Sequence, residues 1–228
     1  MTEVNITGGG FVTAHGFGTL SANDELILEP GVAKAPKGKE IFKTPLLRYG
    51  RFDRYTKLGC AGIALAVRDA GLDEATEKRP IGIILSTEYE CYVSDLDYYQ
   101  TTLEEKGAYT SPNLFSYTLP GIVLGEMAIH FKMTGPTLIT GESSTQQRGK
   151  PAIDSALDIL QAGLCGTVIA GWLDSPPEAI AGKEARHGAV FIVLSLNSDK
   201  KKLTTIYKET GKIKSGSGQE ISSVLDLF

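Results

Sequence analysis

The stretch GPTLITGESSTQQRGKPAIDSALDILQAG, residues 135–163, decides how the rest of the chain is interpreted. Its first part, Thr137–Thr140, is short, apolar and β-branched, which is typical of a buried strand. Residues 141–149, called the elbow below, are rich in turn-forming polar side chains, and Pro151 suits the first turn of a helix. A second apolar run follows at 167–171. Strand, helix and strand predict a βαβ unit, whose functional groups are expected at the elbow.

The composition is that of an ordinary globular protein and excludes several classes of function. Of 228 residues, 42% are apolar and 22% charged, and the net charge is −4. This balance argues against a nucleic-acid partner or an anionic membrane surface, and no apolar run reaches membrane-spanning length. Three cysteines, far apart, indicate reduced thiols in a cytoplasmic protein. With only three histidines, no metal centre is expected.

Glycines after the first apolar run do not form a dinucleotide-binding motif, so no cofactor is predicted. Gly8, Gly9 and Gly10 follow a short predicted strand at Val4–Thr7, but the sequence after them does not open a helix. A tight turn is the preferred interpretation of the three glycines.

The remaining pattern alternates strands and helices over residues 1–228, which we interpret as one domain. Residues 19–47 lack sustained periodicity and are predicted to form a surface loop insertion, and residues 208–228 a C-terminal tail. The continuous apolar run at 189–195 is the strongest strand signal. The expected fold class is α/β, with a mixed, mostly parallel five-stranded sheet and helices on both faces.

Short motifs, in register from residue 4 to 196, resemble the amino-terminal half of β-ketoacyl synthases, members of the thiolase-like superfamily. The match suggests a truncated homologue with a thiolase-like half-fold. The matching segments are Val4–Thr13, Arg51–Leu58, Asp69–Leu72, Ile81–Thr87, Ser111–Pro112, Tyr117–Pro120, Met133–Pro136, Gln161–Gly163, Val168–Gly171 and His187–Leu194.

The resemblance implies a cysteine nucleophile on the elbow and two partner residues, histidines or a histidine and an asparagine, in a second half of the protein. This elbow has no cysteine. Counting forward from Pro136 puts Ser144 at the nucleophile position, and counting back from Gly163 puts Gln146 there. Chain-length factors resemble synthases with glutamine in place of cysteine, so Gln146 or Gln147 is the matching residue in that comparison. An amide hydrogen-bonds but is not nucleophilic.

A serine-based site is the alternative. Gly141-Glu142-Ser143 begins like the hydrolase Gly-x-Ser-x-Gly turn, but Thr145 replaces the second glycine. Ser143 or Ser144 would then act in a small acyltransferase or hydrolase of acyl thioesters. A polar turn without chemistry is the third interpretation of the elbow.

The favoured function is a non-catalytic partner or scaffold in fatty-acid, polyketide or polyene biosynthesis, and a stand-alone dimeric binding protein is a further alternative. Synthase homologues pair through the strand before the elbow, here Thr137, Leu138, Ile139 and Thr140. This strand has no lysine, proline or bulge signal to protect its edge. We therefore expect a homodimer, or a heterodimer with a full-length synthase, with acyl carrier protein as a further possible partner.

Overall fold

The computed structural model describes residues 2–103, 107–142, 144–177, 182–197 and 202–228. Its helices are α1 (Gly38–Ile41), α2 (Arg54–Asp69), α3 (Tyr92–Leu103), α4 (Pro112–Phe115), α5 (Ile122–His130) and α6 (Lys150–Gln161). Its strands are β1 (Val4–Thr13), β2 (Gly16–Thr19), β3 (Ile81–Thr87), β4 (Thr137–Gly141), β5 (Thr167–Asp174), β6 (Gly188–Ser195), β7 (Thr204–Glu209), β8 (Lys212–Ser215) and β9 (Glu220–Ile221).

All nine described strands form one mixed sheet in the order β4-β3-β5-β6-β1-β7-β8-β9, with β2 paired to β1. The α/β class is confirmed, but the expected mostly parallel, five-stranded sheet is wrong in detail. Only β3–β4 and β3–β5 are parallel, and the other six pairs are antiparallel. A continuous apolar run reports burial on both faces of a strand, and it carries no information about the direction of the neighbouring strand.

Helices cover both faces of the sheet, as predicted. Side chains alternate along each strand, so Ile83 packs in the core with α2 and α5 while Ile84 packs in the core with α6. α2 is buried along nearly its whole length, from Tyr55 to Val67. Asp53, the residue before the helix, caps it, because its carboxylate accepts a hydrogen bond from the Thr56 N–H at 2.9 Å.

The glycine triplet lies within β1 and does not form the predicted turn. A Cβ atom on Gly8 would stand 2.4 Å from the Ala70 nitrogen, and one on Gly10 would stand 2.4 Å from the Ala66 nitrogen. Gly8 and Gly10 are therefore needed because α2 lies directly against the strand, a close approach that sequence alone does not reveal.

The predicted surface loop, residues 19–47, is without helix or strand apart from α1 and the last residue of β2. The predicted tail, residues 208–228, contains the end of β7, β8, β9 and a 3-10 turn at Val224–Leu227. Its apolar residues Ile213, Ile221 and Val224 are buried in the core that surrounds α6. Residues 208–228 thus help to cover the helix that follows the elbow.

Candidate functional site

The elbow lies where three parallel strands end together. β3 pairs with β4 so that Thr87 is opposite Gly141, and it pairs with β5 so that Ser86 is opposite Trp172. The polar residues at the carboxyl ends of these strands therefore meet at one edge of the sheet, the usual position of functional groups in parallel sheets.

Glu142 closes the elbow at its base. Its backbone N–H donates to the Thr87 carbonyl at 3.0 Å, and its Oε1 atom accepts hydrogen bonds from Ser86 Oγ and from the Gly149 N–H, the latter at 2.7 Å. Burial raises the pKa of this carboxyl above its ordinary value. Oε2 is buried and has no hydrogen-bond partner within the described ranges, which favours the protonated form.

The far end of the elbow is held by the carboxyl-terminal segment. Gly149 has a φ of +79°, and a Cβ atom there would stand 2.6 Å from Val224 Cγ1. The Arg148 carbonyl accepts hydrogen bonds from the Val224 N–H at 2.8 Å and from Ser223 Oγ at 2.9 Å. The entry into α6 is thus fixed by residues about 75 positions later in the chain.

The elbow residues predicted from sequence do not stand at the first turn of α6, which begins at Lys150. Ser143 lies outside the described residues. The half-buried Ser144 forms a local turn: its Oγ accepts from the Gln146 N–H at 3.2 Å, and its carbonyl accepts from the Gln147 N–H at 2.9 Å. Gln146 and Gln147 are exposed.

No histidine hydrogen-bonds Ser144 within the part of the chain that the structure describes. His15 lies 3.2 Å from Glu29, and the His130 ring packs edge-on against Phe42. The buried His187 lies 3.3 Å from Ser175, between Nδ1 and Oγ. Among the described residues, no histidine is therefore placed to serve Ser144 as the adjacent general base that activates a hydroxyl nucleophile.

Asp174, a site residue that the sequence analysis missed, is almost completely buried at the end of β5. Its carboxylate accepts hydrogen bonds from Thr87 Oγ1 at 2.8 Å, from the Tyr89 N–H at 2.9 Å and from Trp172 Nε1 at 2.6 Å. Burial raises its pKa, although these hydrogen bonds favour the ionised form. Asp174 fixes the turn that leaves β3 as well as the end of its own strand.

Arg148 is the one positively charged residue in the elbow sequence. Its guanidinium lies 5.2 Å from the centre of the Trp172 ring, within cation–π range, and burial lowers its pKa. Arg148, Trp172 and Asp174 line a cleft of about 210 Å³ together with Glu88 and Arg186. The lining of this cleft carries both signs of charge. Among all the described residues, no group of three or more His, Cys, Asp or Glu side chains is arranged to hold a metal ion.

The sequence does contain a signal for these residues. Thr87, Glu142 and Asp174 each come at or directly after the end of an apolar strand, and parallel strands place such positions together. Asp174 does not stand out in the sequence alone, because the strand order that brings it beside Thr87 is not visible there.

The predicted pairing strand β4 is the last strand of the sheet on its side and pairs only with β3 among the described strands. Leu138 is 43% exposed. Ile139 is partly buried and packs against the core that contains α5. β4 thus presents an open backbone edge with an apolar side chain beside it. No described helix is long and apolar enough to cross a membrane.

Comparison with known proteins gives one family and a set of similar folds. The family model described as "Beta-ketoacyl synthase, N-terminal domain" matches residues 32–189. The structure of the ishigamide ketosynthase/chain length factor is 15% identical with a TM-score of 0.68, and the alignment covers 89% of this chain and 65% of that chain. A β-ketoacyl synthase from Burkholderia phymatum STM815 is 17% identical with a TM-score of 0.64, covering 90% of this chain and 63% of that chain.

A third similar structure is a ketosynthase in complex with its chain length factor from Xenorhabdus doucetiae. It is 13% identical with a TM-score of 0.62, and 92% of this chain and 84% of that chain are covered. No curated protein sequence matches this chain. The chain spans 65% and 63% of the lengths of the first two proteins, so it corresponds to about two thirds of each.

Proposed function

This chain belongs to the β-ketoacyl synthase family, and we propose that it is a non-catalytic member that pairs along β4 with a cysteine-bearing synthase. The observation that carries the proposal is the elbow. The resemblance requires a cysteine at the start of the helix after the elbow, and in this chain α6 begins at Lys150, after Arg148 and Gly149. Among the described elbow residues, Ser144 forms a local turn and Glu142 hydrogen-bonds the Gly149 N–H.

The cysteines present elsewhere support the same proposal. Cys60, Cys91 and Cys165 are all buried, and none lies in the elbow. Burial raises the pKa of Cys91 to about 12 and that of Cys60 well above its ordinary value, so both stay as thiols at neutral pH. None of the three is therefore a substitute for the elbow nucleophile.

The open edge of β4 supports the pairing part of the proposal. An unpaired strand edge offers a row of backbone donors and acceptors to a second strand, and Leu138 adds apolar area beside it. In the absence of a synthase, a second copy of this chain satisfies the same edge about a two-fold axis. A ketosynthase and its chain length factor, which form a complex in Xenorhabdus doucetiae, share the fold. The proposed role is cytoplasmic and belongs to fatty-acid, polyketide or polyene assembly, where an acyl carrier protein is a further partner.

Incubation with acyl-carrier-protein substrates, followed by intact-mass measurement, tests the non-catalytic part. We expect no acyl adduct on this chain. A stable adduct that disappears in Ser144→Ala would instead establish the serine enzyme, and one that persists in that variant but disappears in Ser143→Ala would assign it to the neighbouring serine.

A further inference from the structure

A groove of about 510 Å³ lies beside the amino ends of β3 and β4, whereas the elbow lies at their carboxyl ends. Its apolar lining comes from the end of α5 and the residues that follow it, namely Ala128, Ile129 and Met133. Ile129 is 79% exposed. We call this surface the α5 groove. Concave, mostly apolar surfaces of this size are typical of sites for small molecules.

Side-chain hydrogen bonds hold the walls of the α5 groove together. The Arg79 guanidinium donates to the Leu72 carbonyl at 2.9 Å and to the Phe131 carbonyl at 3.1 Å. Lys132 Nζ donates to the Thr76 carbonyl at 2.8 Å. These bonds join the segment before β3 to the segment after α5. The groove is therefore formed before any ligand binds, which lowers the free-energy cost of binding.

The charged side chains that line the groove are both lysines. Lys78 and Lys132 are exposed, and neither forms an ion pair with any acidic residue that the structure describes. An ammonium group has three N–H donors, and Lys132 uses one of them for the Thr76 carbonyl. Both lysines can therefore donate to an anion in the groove.

None of the acidic residues between α2 and β3 lines the groove. Glu74 forms an ion pair with Lys43, and Asp73 is close enough to Arg79 for their charges to interact. Glu77 is exposed and lies outside the groove lining. The groove thus combines an apolar surface with positive charge, and a ligand with an apolar body and a negative charge is complementary to it.

We propose that the α5 groove binds a small alkyl carboxylate. The alkyl tail packs on Ala128, Ile129 and Met133, and the carboxylate accepts hydrogen bonds from the ammonium groups of Lys78 and Lys132. A compact polar anion would leave the apolar lining in contact with water, so the tail is as necessary as the charge. The proposal depends neither on the elbow nor on the pairing of β4.

Decanoate and decylammonium, which share a tail and differ in the charge of the head group, test this site. Both are titrated into the full chain below the concentration at which they form micelles, and methyl NMR signals are followed. We expect decanoate to shift the Ile129 and Met133 signals saturably, while Ile213 in the other core stays unchanged. Decylammonium should bind about tenfold more weakly or worse, and decanoate should weaken as salt is raised.

Variants of the chain separate the groove from general charge attraction. Lys78→Gln and Lys132→Gln should each weaken decanoate by about threefold or more, whereas Lys34→Gln, at an exposed lysine outside the groove, should leave it unchanged. Ile129→Ser should also weaken decanoate, and Leu164→Ser, at a 63% exposed leucine elsewhere, should not.

Equal binding of decanoate and decylammonium would overturn the proposal, as would an equal loss of decanoate binding in Lys34→Gln and in the two groove-lysine variants. A self-dimer that Ile129→Ser dissociates would also overturn it, because the groove would then be an interface between copies.

Discussion

The Glu142 carboxylate accepts a hydrogen bond from the Gly149 N–H at 2.7 Å and so joins the two ends of the elbow. The same oxygen accepts from Ser86 of the neighbouring strand, which anchors the elbow to the sheet. A clamp of this kind holds the two ends of the elbow at a fixed separation.

Glu142 should make the stability of the protein depend on pH. Its pKa is raised in the folded state by burial, so its contribution is favourable below the pKa of the unfolded chain and is lost as pH rises through the folded pKa. Glu142→Gln should therefore flatten the decline of the free energy of unfolding between acid and neutral pH. Urea titrations over this range measure the slope, with Asp158→Asn, at an exposed carboxylate, as the control. An unchanged slope in Glu142→Gln would mean that the carboxyl titrates normally.

The close contact between Gly149 and Val224 can be isolated by comparing two glycines. Gly149 and Gly163 have φ values of +79° and +67°, but only Gly149 has a side chain within contact range of an added Cβ. Each alanine substitution should lower the free energy of unfolding by about 1 kcal/mol, because it strains the left-handed backbone. Gly149→Ala should lose about 1–3 kcal/mol more through overpacking against Val224.

A double-mutant cycle completes this test. Val224→Ala removes the obstructing methyl groups, so the additional loss in Gly149→Ala should shrink when the two changes are combined. If Gly149→Ala and Gly163→Ala are equally stable in chemical denaturation, the carboxyl-terminal segment does not hold the elbow.

The two faces of α6 should respond in opposite ways to substitution. Leu157 is 1% exposed in the core beneath the sheet, so Leu157→Asp would bury an unpaired charge and should unfold the protein. Asp158 is exposed and forms an ion pair with Lys208 at 2.9 Å. Exposed pairs contribute little, so Asp158→Leu should change stability by less than about 1 kcal/mol. Thermal melts followed by circular dichroism distinguish the variants, and similar damage from both would contradict the amphipathic arrangement.

The edge of β4 should govern association of the isolated chain. Light scattering at micromolar concentration should give a mass near twice 24.4 kDa. Leu138→Lys should yield a folded monomer because the side chain is already 43% exposed, while Leu164→Lys should remain a dimer. Ile139→Lys is a harsher change, because Ile139 also packs against the core. A wild-type monomer would remove the argument from the edge strand, and a dimer unaffected by Leu138→Lys would place the interface elsewhere.

Much of the fold near the elbow is predictable from sequence, since the strand at Thr137–Thr140, the polar turn and the helix that contains Pro151 are local patterns. The expectation that this strand is buried is wrong, because it lies at the edge of the sheet with Leu138 exposed. The polar position of Asp158 on α6 is also visible in the periodicity of the helix. The ion-pair partner of Asp158, Lys208, cannot be predicted from the sequence, because β7 lies beside α6 only as a result of the strand order in the sheet. The glycine triplet of β1 is misinterpreted for the same reason: the close packing of α2 is a tertiary contact.

The site is less predictable than the fold. The sequence directs attention to Ser144, Gln146 and Gln147, whereas the structure gives the fixed contacts to Glu142, Arg148 and Asp174. The former are prominent because the family resemblance marks their position. The latter become important only when three strand ends meet, which requires knowing that β3 lies between β4 and β5.

Native mass spectrometry tests the central claim most directly. The chain is purified together with a cysteine-bearing β-ketoacyl synthase from the same genome, and the mixture is incubated with an acyl-carrier-protein substrate. The account predicts a complex that contains both proteins, with the acyl group on the synthase and this chain at its unmodified mass. An acyl group on this chain, or two proteins that stay apart, would contradict it.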